Sequence, residues 1–330
     1  MSRSLVKSAL KRGVLIAAAN WPVTLIQASA DSLFKLLLVA PLIGGIFLIG
    51  LAVRSEPSAL LLLGTRELAD TIAAALWAQP VVLATLLLAI GLVGLGGSLF
   101  VFLIKAATIA TLVRSDREAG TIEEPPLHAS AVARASRFSV ETYIESARGL
   151  FPRYVRLGAG LMAVYLASGL GYWMVVGRQD LVVGWSLAAL VTAAFVLWIT
   201  VVNFLYLLVQ IVVAADDCGV IAAVRRMVAF LRHDLRHVTT VFVLVLAAVV
   251  AATGASVLAT AALGLVAFVP FLGLAALPLQ VLAWLLRGLV FQYLGLSSVG
   301  AYLKLYRGFA GRRNGLNRAT AYDEAWGPVS

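Results

Sequence analysis

The sequence predicts an all-α, polytopic membrane protein with six transmembrane helices in three hairpins and basic amphipathic helices at the membrane interface. Three observations lead there. Of 330 residues, 62% are hydrophobic and only 13% charged, with a mean hydropathy of +0.97; a water-soluble domain of this length could not bury so much apolar surface, so the excess must face lipid. Six low-charge stretches occur, at about 33–53, 81–104, 155–176, 181–213, 238–270 and 274–303, and each reaches the roughly 20 residues a helix needs to cross about 30 Å of hydrocarbon. Lysine and arginine, finally, fall almost wholly on one side of those stretches. Strands are excluded as spans, because a barrel strand is about 10 residues of strict alternation and these are continuous blocks of Leu, Val and Ala.

Four cations precede Ala30 (Arg3, Lys7, Lys11, Arg12) and eight lie between Lys105 and Arg156. The fourth loop carries four (Arg225, Arg226, Arg232, Arg236) and the tail 304–330 five. These twenty-one face only Arg54, Arg66 and Arg178 on the other side, so the positive-inside rule places both termini, the loop 105–154 and the fourth loop in the cytoplasm, in a cytoplasmic (inner) membrane. The formal charge of +10 then reads as topology and attraction to anionic headgroups. Nucleic acid is not an expected partner, since no platform of interleaved basic and aromatic residues is present.

Taken in order, Ser2–Gln27 resembles a signal peptide, with Lys11-Arg12, an apolar Gly13–Ala19 and Ala28-Ser29-Ala30. Asn20, Trp21, Pro22 and Gln27 interrupt the apolar run, and cleavage would put the eight-cation loop outside, so an uncleaved interfacial segment is expected. Each hairpin follows such a basic lead-in, the others being Arg134–Arg153 and Gly219–His237. Ser115–Arg137, with Glu123-Glu124-Pro125-Pro126, reads as an exposed loop, because proline cannot continue a helix. Small residues recur every fourth position at Ala159, Ala163, Ala167 and Gly171, and again at Ala252, Ser256, Thr260 and Gly264, a pattern that lets helices pack closely in lipid. The whole of 1–330 reads as one integral membrane domain.

After the fourth span comes Asp216-Asp217-Cys218-Gly219-Val220-Ile221-Ala222-Ala223-Val224-Arg225-Arg226. Carboxylates just before a helix suit its N-terminus, Gly219 suits the turn, and Arg225 and Arg226 are placed to face phospholipid headgroups. This acidic-acidic-x-Gly-x-x-x-Ala-x-x-Arg segment, with Tyr302, Tyr306 and Arg307 after the last span, resembles a diffuse group of six-helix prokaryotic integral membrane proteins of unknown function. That group includes the membrane domain fused to some glycerophosphodiester phosphodiesterases. The resemblance implies a six-helix membrane domain with Asp216, Asp217, Gly219, Ala223, Arg225 and Arg226 as its cytoplasmic motif, and it implies no phosphodiesterase activity.

Arg287 stands inside the sixth span, where a cation costs roughly 2.5–3.5 kcal/mol even on insertion-based scales. No Asp or Glu lies in any span, so its candidate companions are Gln280 and Gln292 on its own helix, Asn203 and Gln210 on the fourth span, or carbonyls freed by Pro270 and Pro278. Two readings stay open: Arg287 serves folding contacts or snorkels to lipid phosphate from a tilted or late-starting sixth helix, or these residues form a candidate intramembrane polar site for a headgroup or anion. His233-Asp234-Leu235-Arg236-His237 has the i, i+4 spacing of a zinc-protease helix, but its acid is the shorter Asp, no third ligand follows, and the segment is basic; no metal is expected. Cys218 is the only cysteine, His128 has no companion, and there is no phosphate loop, nucleophile elbow or cofactor motif.

The function these features imply is that of a non-enzymatic membrane component interacting with anionic lipid, with a partner membrane protein or with a second copy of itself. A small-solute or lipid transporter is the alternative, weakened by the lack of intramembrane carboxylates and paired broken helices. An intramembrane enzyme comes third, lacking any nucleophile and base.

Overall fold

A computed structural model describes residues 2–53, 65–124, 129–136, 138–176, 185–267 and 272–325; Arg54, Pro125, Pro126, His128, Arg137, Arg178 and Pro270, named above, lie outside these. The described residues form helices α1 (Ser2–Ala19), α2 (Trp21–Val53), α3 (Thr65–Ala78), α4 (Pro80–Glu118), α5 (Ala129–Ala135), α6 (Val140–Val176), α7 (Trp185–Asp216), α8 (Val220–Ala267) and α9 (Leu272–Ala325), with no strand among them. Among the described residues six stretches are long and apolar enough to cross a membrane: Trp21–Gly45, Pro80–Glu118, Val140–Val176, Ala188–Asp216, Val220–Leu265 and Pro278–Arg313. The all-α, polytopic architecture read from hydropathy is therefore the architecture of the chain.

The helices outrun the spans the sequence marks. The lead-in 140–153 and the span 155–176 form one helix through Pro152, and the last span continues without a break to Ala325. The lead-in 220–237 is also merged with its span, but with a kink: Asp234 has φ −118° and ψ 26°, outside helical values.

Two compact units make up the chain, Ala28–Ile104 and the rest. In the smaller unit α2 and α4 are antiparallel. Phe34 lies where a Cβ on Gly97 would be, and Leu86 Cδ1 is 2.7 Å from where one on Gly45 would be. Moving from 34 to 45 along α2 thus corresponds to moving from 97 to 86 along α4.

In the larger unit α1 packs on α9, α9 on α8, α8 on α7 and α7 on α6. α6 and α7 form an antiparallel hairpin tied by Tyr154 Oη donating to Gln210 O (3.0 Å), Tyr165 to Asn203 Oδ1 (2.5 Å) and Trp198 Nε1 to Ser168 Oγ (2.9 Å). Phe204 of α7 meets Phe242 of α8 and Tyr302 of α9, with ring centroids 4.7 and 5.4 Å apart. α1 and α9 approach most closely: a Cβ on Gly13 would sit 2.7 Å from Ala301 N, and one on Gly300 would sit 2.8 Å from Gly13 Cα. Only two glycines facing each other allow that crossing.

Burial is concentrated toward the charge-rich ends of the helices. Ala106–Ile109, Leu208–Val213 and Leu296–Leu303 are buried, whereas 159–176 and 242–265 contain no buried residue. Outside hydrocarbon the hydrophobic effect drives packing; within it an exposed Leu is already solvated by lipid. The small-residue stripe at Ala159, Ala163, Ala167 and Gly171 is correspondingly exposed, so it does not mediate the close helix approach that its spacing suggests; Gly13 and Gly300 do.

Candidate functional site

The segment Ser115–Arg137, expected as an exposed loop, is instead folded in at its start: Ser115, Asp116, Ile122 and Glu123 are buried. What draws it in is Arg12 of α1, itself only 6% exposed. Its Nε donates to Asp116 Oδ1 (2.5 Å), Nη1 to Gly120 O (2.5 Å) and Glu123 Oε2 (2.6 Å), and Nη2 to Asp116 O (2.7 Å). Two cations of α9 complete the set, Arg307 on Asp116 and Lys304 on Glu123. Burial alone would push the Glu123 carboxyl up, but the hydrogen bonds from Lys304 and Arg12 outweigh it and hold it below the usual carboxylate range. Burial likewise opposes the Arg12 charge, and Asp116 and Glu123 more than offset it, holding that guanidinium above its ordinary value. Three cations sharing two carboxylates weld α1, the end of α4 and α9 together. Beside them Asn20 Nδ2 donates to Ser115 Oγ (2.8 Å) and Ala135 O (3.1 Å), fixing α5 onto α1, where Ala19, Ala119, Ile122, Ala131 and Ala135 form a small apolar cluster.

The motif after α7 is the second charged feature. Asp216 Oδ2 accepts from both Arg226 Nη1 (2.5 Å) and Tyr306 Oη (2.5 Å), and Asp217 pairs with Arg153. The residue that makes the turn is Asp217, with φ +48°, in the left-handed region that Asp tolerates better than most. Gly219 instead begins α8, its carbonyl accepting from Ala223 N at 2.9 Å. Arg225 remains exposed, but Arg226 folds back on Asp216 rather than extending outward, because a carboxylate ten residues earlier lies within reach. Burial pushes the Cys218 thiol up, which leaves it a weak nucleophile.

Between α1 and α8 runs a groove of about 760 Å³ whose lining includes Val6, Leu10, Val14 and Leu244 and also Lys7, Lys11, Arg236 and His237. No carboxylate is among its lining residues. Asp234 lies beside it, with its Oδ1 3.5 Å from His233 Nδ1 and 3.7 Å from His237 Nδ1 and its Oδ2 2.5 Å from Arg312. The kink at Asp234 breaks the helical register between the two histidines, and among the described residues no cluster of His, Cys, Asp and Glu could hold a metal.

The five-residue polar set proposed around Arg287 is divided by the structure. Arg287 and Gln280 line one groove of about 570 Å³ between α8 and α9, opposite Ala252, Ser256, Thr260 and Gly264. Gln292 is not among its lining residues. Asn203 accepts from Tyr165, and Gln210 is buried in α7, where its carbonyl accepts from Tyr154.

Sequence reading did not single out Arg12, Asp116, Glu123 and Lys304 as partners, nor Gly13 and Gly300. The one available signal was Arg12-Gly13 at the start of the apolar run Gly13–Ala19 of α1, since a guanidinium that turns to the buried side of a helix requires acceptors. Six long apolar helices make this a multi-pass membrane protein. Compared with protein families, curated proteins and solved structures, the chain matches none.

Proposed function

We propose that the protein is a non-enzymatic component of the cytoplasmic membrane, with both termini in the cytoplasm, that holds anionic phospholipid at its basic end. The observation that carries this reading is the groove between α1 and α8. Lys7, Lys11 and Arg236 line it and, among the described residues, have no carboxylate partner. Val14, about one turn beyond Lys11, and Leu244, about two turns beyond Arg236, supply apolar wall for an acyl chain. A cationic mouth with apolar walls matches a phosphate headgroup on a lipid tail. The Arg12 cluster supports the reading in a different way: it holds α1, and with it two of the three cations, against the bundle. The likeness of the Asp216–Arg226 segment to stand-alone six-helix membrane proteins is consistent with a membrane component of this kind.

The test is lipid mass spectrometry on protein purified in mild detergent, comparing the native chain with the triple variant Lys7→Gln, Lys11→Gln, Arg236→Gln. At about 1 kcal/mol per cation near an anionic surface, the variant should retain phosphatidylglycerol roughly a hundredfold less strongly, with zwitterionic lipid unchanged. An undiminished anionic lipid complement would rule the proposal out.

A further inference from the structure

We infer that the groove between α8 and α9 around Arg287 binds a single-chain anionic amphiphile, its acid group on Arg287 and its chain along the small residues of α8. The site is separate from the basic-end groove, since Arg236 and Ser256 are twenty residues apart, about 30 Å of helix.

Four residues with polar side chains share this groove inside spans of low charge: Arg287 and Gln280 on α9 and Ser256 and Thr260 on α8. Arg287 rests over the Phe291 ring, 5.7 Å from its centroid. Among the described residues it meets no carboxylate, and no acceptor lies within hydrogen-bond distance of Arg287, Gln280 or Ser256. Thr260, by contrast, is satisfied, donating to Ser256 O at 2.8 Å. In water such groups would be hydrated, but in a membrane span an unpartnered cation and an unpartnered amide are each expensive. Convergence of these groups on one cavity therefore points to a ligand that supplies the missing charge and acceptors.

The shape narrows the occupant. A volume of about 570 Å³ falls within the roughly 300–1,000 Å³ typical of small-molecule sites. The wall from Ala252 to Gly264 spans twelve residues, about 18 Å, and its small side chains leave a trough as long as one acyl chain. Trp284 and Phe291 on the facing wall provide apolar contact along the chain. A two-chain phospholipid would leave one chain outside the groove. The charge selects an acid over an alcohol, and the guanidinium favours the two-point contact that a carboxylate or phosphate offers.

The experiment is native mass spectrometry of the purified protein with three probes: oleate, oleyl alcohol and dioleoyl phosphatidylglycerol. Oleate should bind at least about tenfold more tightly than oleyl alcohol, the minimum for a charge-assisted contact. Arg287→Leu removes an intramembrane cation, so it should insert and fold; it should reduce oleate binding to the level of the alcohol and leave alcohol binding unchanged. Arg287→Lys should recover part of the difference. Ser256→Leu, which fills the trough without touching the charge, should weaken both single-chain probes. The triple variant at Lys7, Lys11 and Arg236 should keep oleate binding intact, so this proposal can fail without the basic-end reading failing, and the reverse. Equal binding of acid and alcohol, full oleate binding by Arg287→Leu, or Arg287-dependent binding of phosphatidylglycerol alone would each overturn the inference.

Discussion

Replacing Arg12 with Met tests whether a buried charge cluster holds the N-terminal helix in place. Arg12 makes four contacts, to Asp116 Oδ1, Glu123 Oε2 and the carbonyls of Gly120 and Asp116, at 2.5–2.7 Å. Met keeps much of the apolar stem but none of the donors. Asp116 retains Arg307 and Glu123 retains Lys304, so neither carboxylate becomes an isolated charge, although each loses one charge-assisted bond of about 1.5–3 kcal/mol. Two carbonyls also lose their donor. The sum agrees with the roughly 3–5 kcal/mol for breaking one partner out of a buried ionic set. At about 1.4 kcal/mol per factor of ten, detachment of α1 becomes at least about a hundredfold more frequent. Amide hydrogen exchange reads this directly: α1 and residues 119–124 should exchange faster by that factor, while the α6–α7 hairpin, which shares no contact with Arg12, should be unaffected. Arg12→Lys should recover only part of the protection, because an ammonium cannot span two carboxylates and two carbonyls. If α1 amides in Arg12→Met stay within threefold of the native rate, the cluster does not anchor the helix and the reasoning is wrong.

The Glu123 carboxyl, held below its usual range, contributes stability that is complete above the ordinary carboxylate pKa of about 4.3 and is lost as pH falls through the lower folded value. The gap in thermal midpoint between native protein and Glu123→Gln should therefore be wide at pH 7 and begin to narrow only as pH falls below about 4.3; a gap that stays constant on further acidification contradicts the ion pairing. Gly13→Ala places a methyl against the α9 backbone and should destabilise by about 1–3 kcal/mol despite better helix propensity. Gly254→Ala, where nothing lies within 4 Å of the added carbon, should be neutral or stabilising by up to about 1 kcal/mol in the same thermal assay. Reporter fusions after Arg117, Arg236 and Arg312 should report the cytoplasm and those after Arg66 and Arg178 the exterior; a cytoplasmic signal at Arg178 would refute the six-span topology.

The six spans were legible because hydropathy is a local sum: a run such as Val81–Ile104 must be hidden from water whatever it packs against, and no knowledge of partners is needed. The charge asymmetry has the same character, and so does the cost of Arg287, which follows from its neighbours in sequence alone. Pairing is a different kind of property. Lys11 and Arg12 are adjacent and equally basic, yet Lys11 lines an open groove and Arg12 is buried on Asp116 and Glu123. Which of the two turns inward depends on the rotation of α1 about its axis, set by the Gly13–Gly300 crossing. Glu123 read as part of an exposed loop because proline cannot continue a helix, a local inference that says nothing about cations more than a hundred residues away. Arg287 and the α8 stripe were each visible separately, at 252–264 and 287. Only the antiparallel seating of α8 against α9 placed them on one groove, because relative register between helices is chosen by packing across the whole interface and is encoded in no single segment.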